Sequence, residues 1–214
     1  GGMADIKALA EICHSFGVLL LVDNAHGAYL HFLPESKHPL DLGADICCDS
    51  AHKTLPVLTG GAYLHTCPAL SAQAKNALAL FGSTSPSYLI LQSLDAANPV
   101  LEIQYRATLV QTVANTLALK SRLNEYRFIG DEPTKLTIDA RAYGYNGTEL
   151  AARLRQRGIE CEFSDSDYLV LMVTPETDAA GLIKLEQVLT SIEPQKPIER
   201  VAPHLHIPAR VLSI

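Results

Sequence analysis

Residues 18–22 read VLLLV and end at Asp23. An apolar run without polar alternation leaves no solvent face for a strand, so it fits a central parallel strand covered on both sides. Upstream, Ile6, Leu9, Cys13 and Phe16 recur at helical spacing, and Gly17 supplies the stop. A helix feeding such a strand restricts this half of the chain to an α/β arrangement. In open α/β sheets, ligands gather at the carboxyl ends of strands, where Asp23 stands. An aspartate there also caps turns, so position alone leaves its role open. His26, three residues on, equally fits a packed structural histidine.

The remaining segments extend this layout. Residues 30–43, with Pro34, Pro39 and Gly43, read as an irregular loop. ADICCDSA (44–51) is a short strand running into a turn, SAHK. Residues 55–65 turn at Gly60 and Gly61 and become a strand. A helix is expected over 69–79, then a loop, FGSTSPSY (81–88). Pro86 can open the next helix, 86–97, which Pro99 breaks. A longer helix over 101–126 carries Ile103, Val110, Val113 and Leu117 on one face and is long enough to join two domains.

A second unit follows. TKLTIDA (134–140), IECEF (159–163) and YLVLMV (168–173) read as strands. Asn146 and Glu149 form a capping box for a helix that buries Leu150 and Leu154 and ends at Gly158. A last helix, 177–192, turns Leu182, Leu185, Val188 and Leu189 inward. This order predicts an α+β sandwich, one sheet with helices on one side. Residues 194–214, with four prolines, read as a linker. The expected division is 1–100, a connecting helix over 101–130, a small domain over 131–193, and the linker.

Composition removes several function classes. The 17 Lys and Arg residues are spread thinly in a chain of net charge −6, which argues against a nucleic-acid surface. No apolar run reaches the 18 residues a membrane helix needs, and GGMADIK is no secretion signal. The five cysteines fit no zinc or disulfide framework, so free thiols in a reducing cytoplasmic setting are expected. Both ends look cut, at a helix and at RVLSI, as in a piece of a longer protein.

Lys53 carries the chemistry. It follows Ser50 and His52 at the end of a short strand. A lysine is ordinarily a solvated charge. As a nucleophile it must be neutral, a form favoured by partial desolvation or a neighbouring cation. Pyridoxal phosphate chemistry needs such a lysine for its aldehyde and an anion facing its pyridine nitrogen. Asp23 and Lys53, both at strand ends, would supply the two groups at one sheet edge. Ser50 and the Ser83–Ser87 loop could offer hydroxyls to a phosphate.

DNAHG (23–27), SAHKTLPVLTGGAYLH (50–65), STSPSY (83–88), LTIDARAYGYNGTEL (136–150) and IPARVLSI (207–214) together resemble the Orn/Lys/Arg decarboxylases. These are pyridoxal-phosphate enzymes of the aspartate aminotransferase fold. The resemblance implies part of the α/β large domain followed by a small α+β domain. It implies decarboxylation of arginine, lysine or ornithine with pyridoxal 5′-phosphate held by Lys53 as an internal aldimine. Asp23 would pair with the pyridine nitrogen and Ala25 would pack on the ring. Ser50 and His52 would lie near the phosphate or the substrate, and His26 beside them. Ser83, Thr84 and Ser85 would reach the phosphate of a neighbouring copy in a homodimer or larger assembly. The family's glycine-rich phosphate loop and ring-stacking residue precede the segment matched here. Two other readings follow: a catalytically incomplete piece acting as a partner subunit, and an aminotransferase using the same Asp and Lys. Asp41, Asp45, Glu35 and Glu162 are the acidic candidates for a basic substrate side chain.

Overall fold

The computed structural model describes residues 2–200. IPARVLSI and most of the expected linker lie outside the described residues. Helix α1 (Ile6–Ser15) starts at Asp5, whose carboxylate accepts from the Ala8 N–H at 3.0 Å, and it stops before Gly17 at φ 67°. The first sheet has the order β1 (Leu21–Asp23), β2 (Ile46–Asp49), β3 (Tyr63–Thr66). β1 and β2 are parallel, with Asp23 opposite Cys48, and β3 returns antiparallel.

The parallel pairing agrees with the apolar run, but the central placement does not. β1 is an edge strand of this sheet, and only the last two residues of the apolar run, Leu21 and Val22, enter it. Val18, Leu19 and Leu21 are exposed, as are Ile12 of α1 and Phe16 just after it. Among the described residues, nothing covers that side.

Helix α2 (Ser71–Phe81) leads through an exposed connection to α3 (Tyr88–Val100). Pro99 lies inside α3 and does not break it. The helix continues into a π-helical turn, Leu101–Tyr105, and then α4 (Arg106–Arg122). Proline removes one amide donor and crowds the preceding turn. The wider π turn follows directly and keeps the run continuous. The stripe of Ile103, Val110 and Leu117 faces solvent, Ile103 being 81% exposed. The buried face is instead Leu101, Tyr105, Leu109, Thr112, Thr116 and Leu119. Its two threonines are satisfied locally: Thr112 Oγ1 donates to the Thr108 carbonyl and Thr116 Oγ1 to the Thr112 carbonyl, both at 2.8 Å.

The second sheet is antiparallel, in the order β4 (Phe128–Ile129), β5 (Lys135–Asp139), β7 (Tyr168–Met172), β6 (Phe163–Ser164). β4 is an addition to the expected strands. Of IECEF only Phe163 enters a strand. Leu136 and Ile138 of β5 join Leu119, Leu150, Leu154, Leu169 and Leu189 in one core, drawn from α4, α5 (Gly147–Gln156), β7 and α6 (Ala179–Thr190). The capping box is present, with the Asn146 N–H donating to Glu149 Oε2 at 3.0 Å. Residues alternate faces along a strand, so Lys135, Thr137 and Asp139 turn to the opposite side of β5, where they too are buried.

Residues 194–200 do not lead away as a linker. Gln195 and Ile198 donate their amides to the Tyr143 and Arg141 carbonyls, both at 3.0 Å, and Arg200 reaches Asp139 at 2.9 Å. Each apolar-to-alanine change in the second core leaves a cavity that rigid neighbours cannot fill. Ile138→Ala should therefore lower unfolding stability by about 2–5 kcal/mol, read as a fall in the urea midpoint.

Candidate active site

The end of β1 is held by backbone bonds. The Asn24 N–H donates to the Cys48 carbonyl at 2.9 Å, and the Gly27 N–H to the Asn24 carbonyl at 2.8 Å. The Asn24 side chain then crosses to β2, where Nδ2 donates to Asp49 Oδ1 at 2.8 Å. A Cβ on residue 27 would lie 2.0 Å from Asn24 Oδ1, so any side chain there would displace the Asn24 amide from this position. Asp23 is exposed, while Ala25 and His26 are half-buried.

The end of β2 runs into a 3₁₀ turn, Ala51–Lys53, in which the Lys53 N–H bonds to the Ser50 carbonyl at 3.0 Å. Ala51 is fully buried and anchors the turn. Lys53 is half-buried. His52 is tied back to the turn before β3: its N–H reaches the Gly61 carbonyl at 3.2 Å and its Nδ1 donates to the same oxygen at 2.9 Å. Thr54 Oγ1, next in sequence to Lys53, is buried without a partner.

His26 is where these elements meet. A cavity of about 370 Å³ opens beside it, lined by Asp23, Ala25, His26, Leu30 and Glu132 among others. Its Nδ1 is buried without a hydrogen bond, and its Nε2 lies 3.7 Å from Glu162 Oε1. The imidazole pKa is lowered, first by burial and then by the positive charges of Lys135 and Lys53. Lys135 pairs with Glu132 at 3.0 Å, and Glu132 accepts from the Tyr29 hydroxyl at 3.3 Å.

The structure thus brings Asp23, Ala25 and His26 to one cavity, and Lys53 acts on His26 through its charge. Ser83, Thr84 and Ser85 lie in the exposed connection between α2 and α3, where the Ser85 N–H bonds to Ser83 Oγ at 3.1 Å. They line neither this cavity nor the one beneath β2 and β3. Of the acidic candidates, Glu162 stands at His26, while Asp41 and Asp45 pair with His31 and His14. Sequence reasoning missed Glu132, Lys135 and Tyr29. A Glu–Lys pair at i and i+3 before a strand carries no local signal of a site more than a hundred residues away.

The strand-end carboxylate of Asp23 and the orphaned imidazole nitrogen of His26 stand at one cavity, and the charge of the half-buried Lys53 acts on that imidazole, a set of groups that fits the ring and aldehyde end of a pyridoxal phosphate. The fold belongs to the aspartate aminotransferase class. A chain in the crystal structure of the SepCysS–SepCysE N-terminal domain complex shares it with a TM-score of 0.63 at 14% identity, over 89% of this chain and 55% of that chain. Residues 1–131 match the family model described as Orn/Lys/Arg decarboxylase, major domain, and the chain belongs to that family. It is 34% identical to an arginine decarboxylase of Bacillus subtilis, over 91% of this chain and 44% of the relative. It is 29% identical to an arginine decarboxylase of Bacillus anthracis, over 97% and 46% respectively. The chain therefore spans about half the length of these curated relatives.

A cation close to an imidazole disfavours its protonation. Lys53→Ala should therefore raise the His26 pKa toward its ordinary value. The His26 ring resonances in an NMR titration report the shift. An unmoved titration would place the Lys53 amine away from His26.

Proposed function

We propose that this chain carries the lysine-bearing part of a pyridoxal 5′-phosphate-dependent decarboxylase acting on a basic amino acid, arginine, lysine or ornithine. The observation that carries the reading is that Asp23 lines the cavity beside His26 while the charge of Lys53, which has no carboxylate partner among the described residues, acts on the same imidazole. Family membership and the named arginine decarboxylases among its relatives support the reaction class.

Lys53 would hold the cofactor through Nζ. Asp23 would hold a proton on the pyridine nitrogen, Ala25 would support the ring face, and Ser50, His26 and His52 would border it. The bound cofactor supplies a sink for the electron pair released when the Cα–carboxylate bond breaks. Lys53 Nζ would also be the group to carry a proton near the substrate Cα. His26, kept neutral by burial and by two lysines, can accept a hydrogen bond at the unpartnered Nδ1. Glu162, at 3.7 Å from His26 Nε2, is a carboxylate that could meet a cationic substrate side chain. The Ser83, Thr84 and Ser85 loop, exposed as it is, would serve the phosphate of a second copy in a homodimer. Residues 1–100, 101–130 and 131–193 would be the large-domain portion, the connecting helix and the small domain. The five cysteines, all free, support a cytoplasmic setting.

A second reading is favoured by the exposure of Asp23 and the uncovered side of β1. On it, these 214 residues bind cofactor weakly and turn over only with a further segment or subunit. Borohydride reduction in the presence of pyridoxal phosphate separates the readings from a wrong assignment. Peptide mapping should find the phosphopyridoxyl group on Lys53 and lose it in Lys53→Ala. Labelling of exposed lysines with Lys53 untouched would overturn the reading. Release of CO₂ from arginine, lysine or ornithine, without keto-acid formation, then distinguishes a decarboxylase from an aminotransferase.

A further inference from the structure

Cys48 shares the Asp23 face of the first sheet, and its neighbour Asp49 turns to the other face. There Asp49 is 1% exposed, yet ionised, its carboxyl held well below the usual range. Burial opposes that ionisation. Hydrogen bonds from His38, His65 and Asn24 overcome it. His38 Nε2 lies 2.9 Å and His65 Nε2 3.1 Å from the same oxygen, Oδ2. The other oxygen is occupied by Asn24 Nδ2 at 2.8 Å. His38, Asp49 and His65 line a cavity of about 340 Å³ with an apolar floor that includes Phe32, Leu55 and Leu101.

We propose that His38, Asp49 and His65 form a binding site for a divalent transition metal ion of the zinc class. One donor atom from each lies within 4.8 Å of the others. At zinc bond lengths of about 2.0–2.1 Å, tetrahedral ligand atoms stand about 3.3 Å apart. The two observed nitrogen–oxygen separations are within a few tenths of an ångström of that edge. The ligands come from three segments: the loop before β2, the end of β2, and β3. Asn24 orients the carboxylate through the oxygen the ion would not use, as outer partners of metal ligands do. The shared cavity leaves a fourth position for water or a small donor, the pattern of an open site. Two imidazoles and one carboxylate suit zinc, cobalt or nickel and disfavour magnesium, which takes oxygen ligands.

Protons balance without a co-reactant. In the metal-free cluster each Nε2–H donates to Asp49. On binding, each ring moves its proton from Nε2 to Nδ1 and gives its Nε2 lone pair to the ion. For His38 this gives up the bond that Nδ1 accepts from the Leu40 N–H at 3.3 Å. The competing account is a His–Asp–His hydrogen-bonded brace that takes no ion.

Titration of the chain with Co²⁺ should give one equivalent bound with a visible d–d absorption, displaced by Zn²⁺ and unaffected by Mg²⁺. His65 is the residue to change, because its side chain is 40% exposed and the other two are buried. His65→Gln retains an N–H donor for Asp49 and removes the imidazole. It should weaken Co²⁺ binding at least tenfold while its metal-free melting midpoint stays near that of the parent. His14→Ala removes an exposed His–Asp pair, with a contact of 2.8 Å, that does not line this cavity, and should leave binding unchanged. Three results would overturn the site: no stoichiometric uptake, uptake undiminished in His65→Gln, or uptake lost in His14→Ala. If His65→Gln fails to fold, Co²⁺-induced shifts of the His38 and His65 ring resonances in the parent chain decide the matter, and their absence has the same force.

Discussion

The bond from Asn24 to Asp49 ties together the two strand ends on which the site depends. β1 and β2 pair over only three residues, which by itself is a weak hold on the segments beyond. Asn24 adds a side-chain bond one residue after Asp23, and Asp49 receives it four residues before Lys53. Asp49 is fully buried, so the bond is shielded from competing water. The absence of a side chain at Gly27 leaves room for the Asn24 amide. The separation of a carboxylate and an amine at one sheet edge is thus set by a polar contact inside the protein.

The two units meet at this edge. Tyr29 lies just after the DNAHG turn, and its hydroxyl reaches Glu132, which precedes β5. Glu132 pairs with Lys135, and both affect His26 electrostatically. The small unit therefore contributes charge to a site whose principal residues belong to the first sheet. Its own stability rests on a separate core, with three tyrosine hydroxyls, from Tyr126, Tyr143 and Tyr145, donating to the carbonyls of Leu189, Ile192 and Glu193. These bonds satisfy the end of α6 and the residues just after it, where helix carbonyls would otherwise be orphaned.

What was legible in the sequence was local. Asp23 ends a short apolar run, and a strand end is a position that period and composition reveal; Lys53 instead stands four residues beyond the end of β2, at the end of a 3₁₀ turn. The capping box at Asn146 and the stop at Gly17 are equally local. The central placement of VLLLV failed because a run of apolar residues reports what a strand needs on its faces, not which neighbours it has in these residues. Pro99 misled because the rule that proline ends helices allows for no following π turn. The α4 stripe misled because apolar residues were assumed to be the inner ones. Thr112 and Thr116 are inside because their hydroxyls bond the carbonyls of their own helix. Glu132, Lys135 and the His38–Asp49–His65 cluster were invisible for one reason: their members are joined only by the fold.

The chain contains no tryptophan and eight tyrosines. The Tyr126 and Tyr143 rings stack at 4.0 Å, with Tyr145 beyond them. Near-ultraviolet absorption and dichroism of this protein are therefore tyrosine signals, weighted toward the small unit where the rings are fixed. That unit carries a built-in optical label that any cofactor band, lying at longer wavelength, would leave undisturbed.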